Sequence, residues 1–260
     1  MDRSPLRCLT RRPSRRLAHG ERTHLERVSI DFSLAEAQHE AYRAALSHNG
    51  AALIELPALD AHPDAVFVED VVLALPEVFI LCRPGAASRA AEPELLAPHL
   101  PKDRPVARLD ARATLDGGDV LWVGRRLFVG ISTRTNAAAV AALASVVSRF
   151  GYRVEAVQTT GALHLKTAVT ALASDLLLMN PAWLAGDAFP GWRRIHVDPG
   201  EPFAGNSLGI GDALFMQSAH QRTAEHVAAA GFAVDLMDIS EFAKAEAGLT
   251  CLSVIIPAAN

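Results

Sequence analysis

Cys251 is the residue of this chain best placed to act as a nucleophile. It lies in Gly248-Leu249-Thr250-Cys251-Leu252-Ser253-Val254-Ile255-Ile256, between a small polar segment and an apolar, β-branched run that reads as a strand, so its sulfur is expected at a strand's mouth. Cys8 and Cys82 differ: each sits within an apolar run, the usual place of a small buried thiol. Other polar groups stand at comparable points just before apolar strands, namely Asp64, Glu69 and Asp70; Asp116 and Asp119; His164 and Lys166; Asn206; and Thr250. Singly, each has an ordinary explanation. Asp64 would cap the turn after His62-Pro63, the glycines of Asp116-Gly117-Gly118-Asp119 would supply positive φ, and His164 between two leucines would be a hydrogen-bonded core histidine. Arg89 and Arg134 would be solvated charges flanking helices. Taken together, they make a reaction.

A cysteine attacks as thiolate, and a free thiol titrates near about 8.5, so something nearby must favour ionisation. Histidine can give a proton to a leaving group and then take one from water. Carboxylates beside the sulfur oppose a thiolate by like-charge repulsion, which points to a cationic substrate as the missing partner. A guanidinium fits that place. It is planar, permanently charged, carries several N–H donors for bidentate carboxylate bonds and has an electrophilic central carbon.

The elements that must gather these groups form a repeat. Residues 71–75 and 78–81 read as a hairpin turning at Pro76-Glu77, followed by a helix over 92–96. Residues 120–123 and 127–130 form a second hairpin, with a helix over 136–150 stopped by Gly151 and a strand at 153–157. A third is expected at 168–172 and 176–179, and a fourth at 207–210 and 213–217, continued by a helix near 221–230 and a strand at 233–237. The fifth begins at Leu252 and has one strand. Residues 6–10 form an unpaired strand, followed by a polar loop over 13–27, a helix capped by Ser33 and stopped by Asn49-Gly50, and a strand at 51–56. Hairpins recur at intervals of roughly 38 to 49 residues, and an incomplete last unit beside a spare first strand argues for a closed ring over an open solenoid. The expected architecture is a five-bladed, pseudo-symmetric α/β propeller in one domain over residues 1–260. Each unit reads strand, strand, helix, strand, and the polar groups collect at one end of the axis.

Composition narrows the function further. Half of the 260 residues are hydrophobic, ample for a core, and the net charge of −4 supplies no basic field for nucleic acid. Three cysteines cannot form a disulfide framework and no signal-like stretch is read at the start, so a reducing, cytoplasmic compartment is expected. Arg3, Arg7, Arg11, Arg12, Arg15 and Arg16 would suit a transit peptide, but Asp2, Pro5 and Pro13 break an amphipathic helix, so a first strand is the better reading. No apolar stretch reaches the roughly 18 residues a membrane span needs. The chain lacks G-x-S-x-G, the phosphate-binding G-x-x-x-x-G-K-[ST], H-E-x-x-H, a dinucleotide fingerprint and structural-zinc spacing, so no cofactor or resident metal is expected.

At these residues the chain resembles the dimethylarginine dimethylaminohydrolases of the guanidino-modifying, or pentein, superfamily. The matching segments are Pro63-Asp64-Ala65-Val66-Phe67-Val68-Glu69-Asp70, Arg83-Pro84-Gly85-Ala86, Leu115-Asp116-Gly117-Gly118-Asp119-Val120, Arg134-Thr135-Asn136, Leu163-His164-Leu165-Lys166 and Leu249-Thr250-Cys251-Leu252-Ser253, in order along nearly the whole chain. The resemblance implies the pentein fold, and hydrolysis of Nω,Nω-dimethylarginine or monomethylarginine to citrulline and a methylated amine through a covalent thiouronium. It implies Cys251 as nucleophile, His164 as general acid and base, and Asp116 orienting His164 or the guanidinium. Asp70 and Glu69 would hold the guanidinium end, Asp64 the α-amino group, and Arg89 and Arg134 the α-carboxylate. Carbonyls near Glu21, in a mobile lid, and near Ala245 would complete the pocket, and zinc would bind Cys251 and His164 as an inhibitor. The chain departs from the pattern at Asp116, where some relatives carry glutamate, at Glu21, where an apolar residue is common, and at Ala90, which replaces a second arginine. The alternatives are another guanidino or ureido hydrolase (an arginine deiminase or citrulline hydrolase), an amidinotransferase, or a non-catalytic protein that binds arginine derivatives. An exposed hairpin edge would suit a homodimer.

Overall fold

The structure is a computed structural model that describes residues 6–259; Asp2, Arg3 and Pro5, weighed above for a transit peptide, lie outside the described residues. In chain order the main elements are β1 (Arg7–Arg11), α1 (Phe32–His48), β2 (Ala52–Leu56), β3 (Val72–Leu75), β4 (Val78–Leu81), α2 (Glu92–Leu96), β5 (Val106–Arg108), β6 (Val120–Val123), β7 (Arg126–Ile131), α3 (Ala137–Val147) and β8 (Arg153–Gln158). They continue with α4 (Leu165–Ala168), β9 (Val169–Ala173), β10 (Leu176–Met179), β11 (Arg193–His196), β12 (Ser207–Ile210), β13 (Ala213–Gln217), α5 (Gln221–Ala229), β14 (Val234–Met237), α6 (Ser240–Ala243) and β15 (Val254–Ile256).

The strands form five three-stranded sheets: β3-β4-β5, β6-β7-β8, β9-β10-β11, β12-β13-β14 and β15-β1-β2. In every sheet the first strand runs antiparallel to the second and the second parallel to the third. The fifth sheet closes the ring as expected, with Arg7 opposite Ile256 on one side and Ala52 on the other. Two of the tight hairpins turn through left-handed backbone, which Gly124 at φ +57° and Gly211 at φ +59° supply between β6 and β7 and between β12 and β13. The fold is the five-bladed α/β propeller that the repeats imply.

Two local expectations change. Helix α1 is capped by Asp31, whose carboxylate accepts from the Leu34 N–H at 3.1 Å, and Ser33 falls inside the first turn. The third unit has no α-helix between its second and third strands. Residues 180–192 hold two prolines and two glycines at positive φ, which interrupt any helical period, and aromatic side chains fill the space instead. Phe189 is fully buried and meets Phe128 edge to face at 4.9 Å.

Apolar residues gather in five clusters, one at each junction between neighbouring sheets. Helix α3, for example, buries Ala139, Leu143 and Val147 at i, i+4, i+8 against Leu127, Val129 and the adjacent β4. Among the described residues no helix is long and apolar enough to cross a membrane.

Leu9, fully buried at the closing junction beside Val254, tests whether ring closure carries stability. Leu9→Ala should lower the unfolding free energy by about 2–5 kcal/mol in urea titration, more than the same change at half-buried Leu53.

Candidate active site

Each innermost strand begins after a short helical turn or bend that carries polar side chains, and these five segments meet on the axis. Glu69 and Asp70 lie in the 3-10 turn Val68–Val71, Asp119 in Gly117–Asp119, His164 before α4, Asn206 before β12, and Cys251 in Thr250–Leu252. A belt of hydrogen bonds joins them, crossing one blade boundary at each step. The Gly118 N–H donates to Asp70 Oδ1 (3.2 Å) and the Leu165 N–H to Asp119 Oδ1 (2.8 Å). Asn206 Nδ2 donates to the Lys166 carbonyl (2.9 Å) and to Thr250 Oγ1 (3.0 Å), and the Thr250 N–H returns to Asn206 Oδ1 (3.2 Å). The Thr250 hydroxyl donates to Glu69 Oε2 at 2.7 Å, and the circle is complete.

Close approach, and not positive φ, explains the glycines of Asp116-Gly117-Gly118-Asp119, neither of which is left-handed. A Cβ on Gly117 would lie 2.0 Å from the Glu69 carbonyl oxygen, and one on Gly118 would lie 2.7 Å from His164 Nδ1 and 2.8 Å from Asp70 Oδ1.

On one side of the belt lies a narrow cavity lined by Cys251, His164, Asp70, Asp116, Asp64 and Arg134, together with Arg89, Glu21 and Ala245. The sulfur and the imidazole thus face one space. Asp116 contacts the histidine: its Oδ2 is 3.0 Å from His164 Nε2, while its Oδ1 accepts from the Gly85 N–H at 2.8 Å. Nδ1 lies 3.9 Å from Asp70 Oδ1, on the side of Gly118. Burial alone would push the imidazole down, but the negative charge of Asp70, the Asp116 hydrogen bond and Asp119 outweigh it and hold the ring protonated up to about 9. Burial raises the Cys251 thiol, and Glu69 and Asp70 raise it further; the Gly248 N–H, 3.4 Å from the sulfur, opposes them. Both shifts favour the protonated forms, imidazolium and thiol.

Two expected ligands point elsewhere. Glu69 pairs with Lys166 and Thr250 and lines a wider cavity of about 220 Å³ on the opposite side of the belt, walled by the inner strands of the five blades. It does not line the thiol's cavity. Arg89 is buried, with Nε and Nη2 on Glu92 (3.0 and 2.8 Å), Nη1 on Asp70 (2.6 Å) and Nη2 also on the Phe67 carbonyl (3.0 Å), so its donors hold protein acceptors and not open space. Among the described residues the Arg134 guanidinium has only a long contact, to Thr23 Oγ1 at 3.5 Å, and the residue lines the cavity. Asp64 accepts from the Glu21 N–H at 2.9 Å, and the Glu21 carboxylate takes the Ser88 hydroxyl at 2.5 Å, so the segment around Glu21 lies across the site as a lid. Glu92, Phe67, Leu163, Glu246 and Ala247 complete the surroundings and were not singled out from the sequence. Only Glu92 carried a signal, three residues after Arg89 on one helical face.

A five-bladed ring with a cysteine, a histidine and carboxylates gathered at one end of its axis defines the pentein class. A profile described as "Arginine deiminase" matches residues 100–200. The N(G),N(G)-dimethylarginine dimethylaminohydrolase of Streptomyces coelicolor is 41% identical over 256 residues, covering 95% of this chain and 96% of that one. The Pseudomonas aeruginosa enzyme of the same name is 32% identical over 249 residues, covering 95% and 97%. A solved structure of that Pseudomonas enzyme, a cysteine-to-serine mutant complexed with citrulline, superposes with a TM-score of 0.90 at 31% identity over 96% of this chain and 98% of its own. The N-terminal domain of ArgZ, an arginine dihydrolase, matches with a TM-score of 0.87 at 21% identity over 98% of this chain and 99% of its own, which shows the fold alone. The chain belongs to the dimethylarginine dimethylaminohydrolase family.

Two measurements probe this geometry. Arg89→Ala would strand Asp70 and Glu92 as buried carboxylates and should cost about 3–5 kcal/mol in chemical denaturation, whereas Arg134→Ala should cost under about 1.5 kcal/mol. His164 binds its proton more tightly folded than unfolded, so it contributes stability below about pH 6.5 and loses it as pH rises through about 9. Unfolding free energy measured from pH 6 to 10 should therefore fall by roughly 3 kcal/mol more in the parent than in His164→Asn.

Proposed function

We infer that this protein hydrolyses Nω,Nω-dimethylarginine, and monomethylarginine, to citrulline and a methylated amine by cysteine catalysis. The observation that carries the reading is the shared cavity of Cys251 and His164, ringed by Asp64, Asp70 and Asp116. Asp70 takes two guanidinium N–H groups, and the carbonyl of Ala245 takes a further one. The cation's arrival offsets the carboxylates' repulsion, so the thiol gives its proton to solvent water and the thiolate forms where it is needed. Its sulfur bonds to the guanidinium carbon, giving a tetrahedral centre. His164, fixed by Asp116 at Nε2, passes a proton to the dimethylamino nitrogen; the C–N bond breaks, and dimethylamine leaves a thiouronium on Cys251. The now neutral imidazole takes a proton from water, whose oxygen attacks the same carbon. The C=O bond then forms as the hydroxyl gives up its proton and the C–S bond breaks, releasing citrulline and a thiolate that takes up a proton again.

At the far end of the substrate, Asp64 faces the α-amino group and Arg134 the α-carboxylate, the latter supported by its freedom from other strong partners. Arg89 acts through Asp70, which it holds together with Glu92, and Glu69 acts through the belt; neither meets the substrate in this reading. The steps use side chains and water alone. A thiol and an imidazole facing one cavity also offer zinc two ligands, and zinc there would block the nucleophile. The cytoplasm, where thiols stay reduced, suits a free cysteine nucleophile.

The profile match over residues 100–200 favours one second reading, deimination of arginine. Incubation with dimethylarginine, monomethylarginine, arginine and citrulline separately, with amines followed by mass spectrometry, decides between them. Dimethylamine from the first substrate is expected; ammonia from arginine as the faster product would transfer the assignment to the deiminase reading. Cys251→Ser should lose at least about 10³-fold in kcat while still binding substrate, and unchanged turnover would rule out covalent catalysis.

A further inference from the structure

Glu246 occupies a backbone position that suits it badly. Helix α6 ends in a Schellman motif: the Ala247 N–H reaches the Phe242 carbonyl at 3.1 Å, and the Glu246 N–H reaches that of Ala243 at 2.9 Å. Residue 246 is the left-handed position of that motif, at φ +63°, where glycine is usual, and it is the one non-glycine with positive φ among the described residues. The helix end gives no reason for glutamate. The carboxylate does.

Its Oε1 accepts three consecutive backbone N–H groups from the segment after Glu21, those of Thr23 (2.8 Å), His24 (2.7 Å) and Leu25 (2.7 Å). Three successive amides converging on one oxygen form an anion-binding nest, here filled by a side chain of the same protein. Arg22 adds a second tie from the same segment, its Nε donating to the Lys244 carbonyl at 2.9 Å. The other end of the connection is the nucleophile's own loop: Ala245, Glu246 and Ala247 line the cavity of Cys251, and the Gly248 N–H donates to the sulfur.

We propose that Glu246 is the latch of the lid, a positioning residue whose carboxylate fastens residues 23–25 to the loop that carries the nucleophile, so that closure over the substrate and placement of Cys251 are one event. It rests on the functional reading above only for what the closed lid covers. The left-handed strain is tolerated because charged hydrogen bonds offset it, and the latch sits where a shift of the lid is felt by the sulfur five residues on.

Hydrogen exchange of the substrate-free protein reads the latch without reference to turnover. In Glu246→Ala and Glu246→Gly the amides of residues 23–25 should exchange at least tenfold faster than in the parent, with core amides of β4 and β7 unchanged. Glu246→Gln, which keeps an acceptor oxygen but not the charge, should fall between. Glycine at this position relieves the backbone, so Glu246→Gly should unfold at no lower temperature than the parent while still losing the lid's protection, which separates latching from folding. Iodoacetamide should alkylate Cys251 several-fold faster in both variants, and the KM for dimethylarginine should rise about tenfold with a smaller fall in kcat. Parent-like protection of residues 23–25 in both Glu246→Ala and Glu246→Gly would overturn the proposal. Faster exchange in a protein whose parent releases no methylamine would leave the latch standing and remove the functional reading instead.

Discussion

The molecule depends on the belt of hydrogen bonds around its axis. Each bond crosses from one blade to the next, from Asp70 through Gly118, Asp119, Leu165, Lys166, Asn206 and Thr250 to Glu69. Apolar packing between sheets holds the blades side by side but is indifferent to a small slide along the interface. Directional bonds are not, and in a buried setting an unmade one is costly. The belt therefore fixes the height of each entrance turn relative to the others, which is the coordinate that decides whether sulfur and imidazole face the same space. Glycine at 117, 118 and 248 lets the turns come close enough, since a Cβ at 248 would lie 2.4 Å from Asn206 Oδ1.

Charge is divided by the same ring. Above it, Asp64, Asp70 and Asp116 surround the thiol with Arg89 withdrawn among Asp70 and Glu92, so the cavity is left attractive to a cation. Below it, Glu69 and Lys166 neutralise one another at the base of the second cavity. Asp70 stands at the centre of this arrangement. It accepts from Arg89 and Gly118 and lies 3.9 Å from the histidine, and although burial opposes it, His164 and Arg89 keep its carboxyl below the usual range. A carboxylate held ionised in this way raises both neighbouring proton holders, the imidazole and the thiol.

How much of this was legible depended on whether a feature was local. The ring, its four hairpins and the pairing of the first strand with the last at Arg7 and Ile256 followed from alternating apolar runs and turn residues, which short-range sterics dictate. The convergence of Asp64, Asp70, Asp116, His164 and Cys251 followed from their equivalent places before inner strands. What escaped was set by side-chain direction. Glu69 and Asp70 are adjacent, and nothing in their order says that one faces the thiol and the other the opposite cavity; a turn of 3-10 helix decides it. Arg89 has two carboxylate partners, Asp70 and Glu92, that lie 19 residues before it and 3 after it, and only the fold brings all three together. The missing helix of the third unit left a trace in the prolines and glycines of residues 180–192, but the substitute, Phe189 against Phe128, is tertiary.

The blade built from β15, β1 and β2 joins the first described strand to the last. During synthesis four blades and two strands of the fifth, β1 and β2, can be complete while β15 is still within the ribosome, and the turn that carries Cys251 directly precedes that strand. A contact of such long sequence separation forms late, because the loop it closes is nearly the whole chain. The turn that carries the thiol is therefore set only when β15 docks on β1, so the sulfur reaches its place beside the imidazole through closure of the ring.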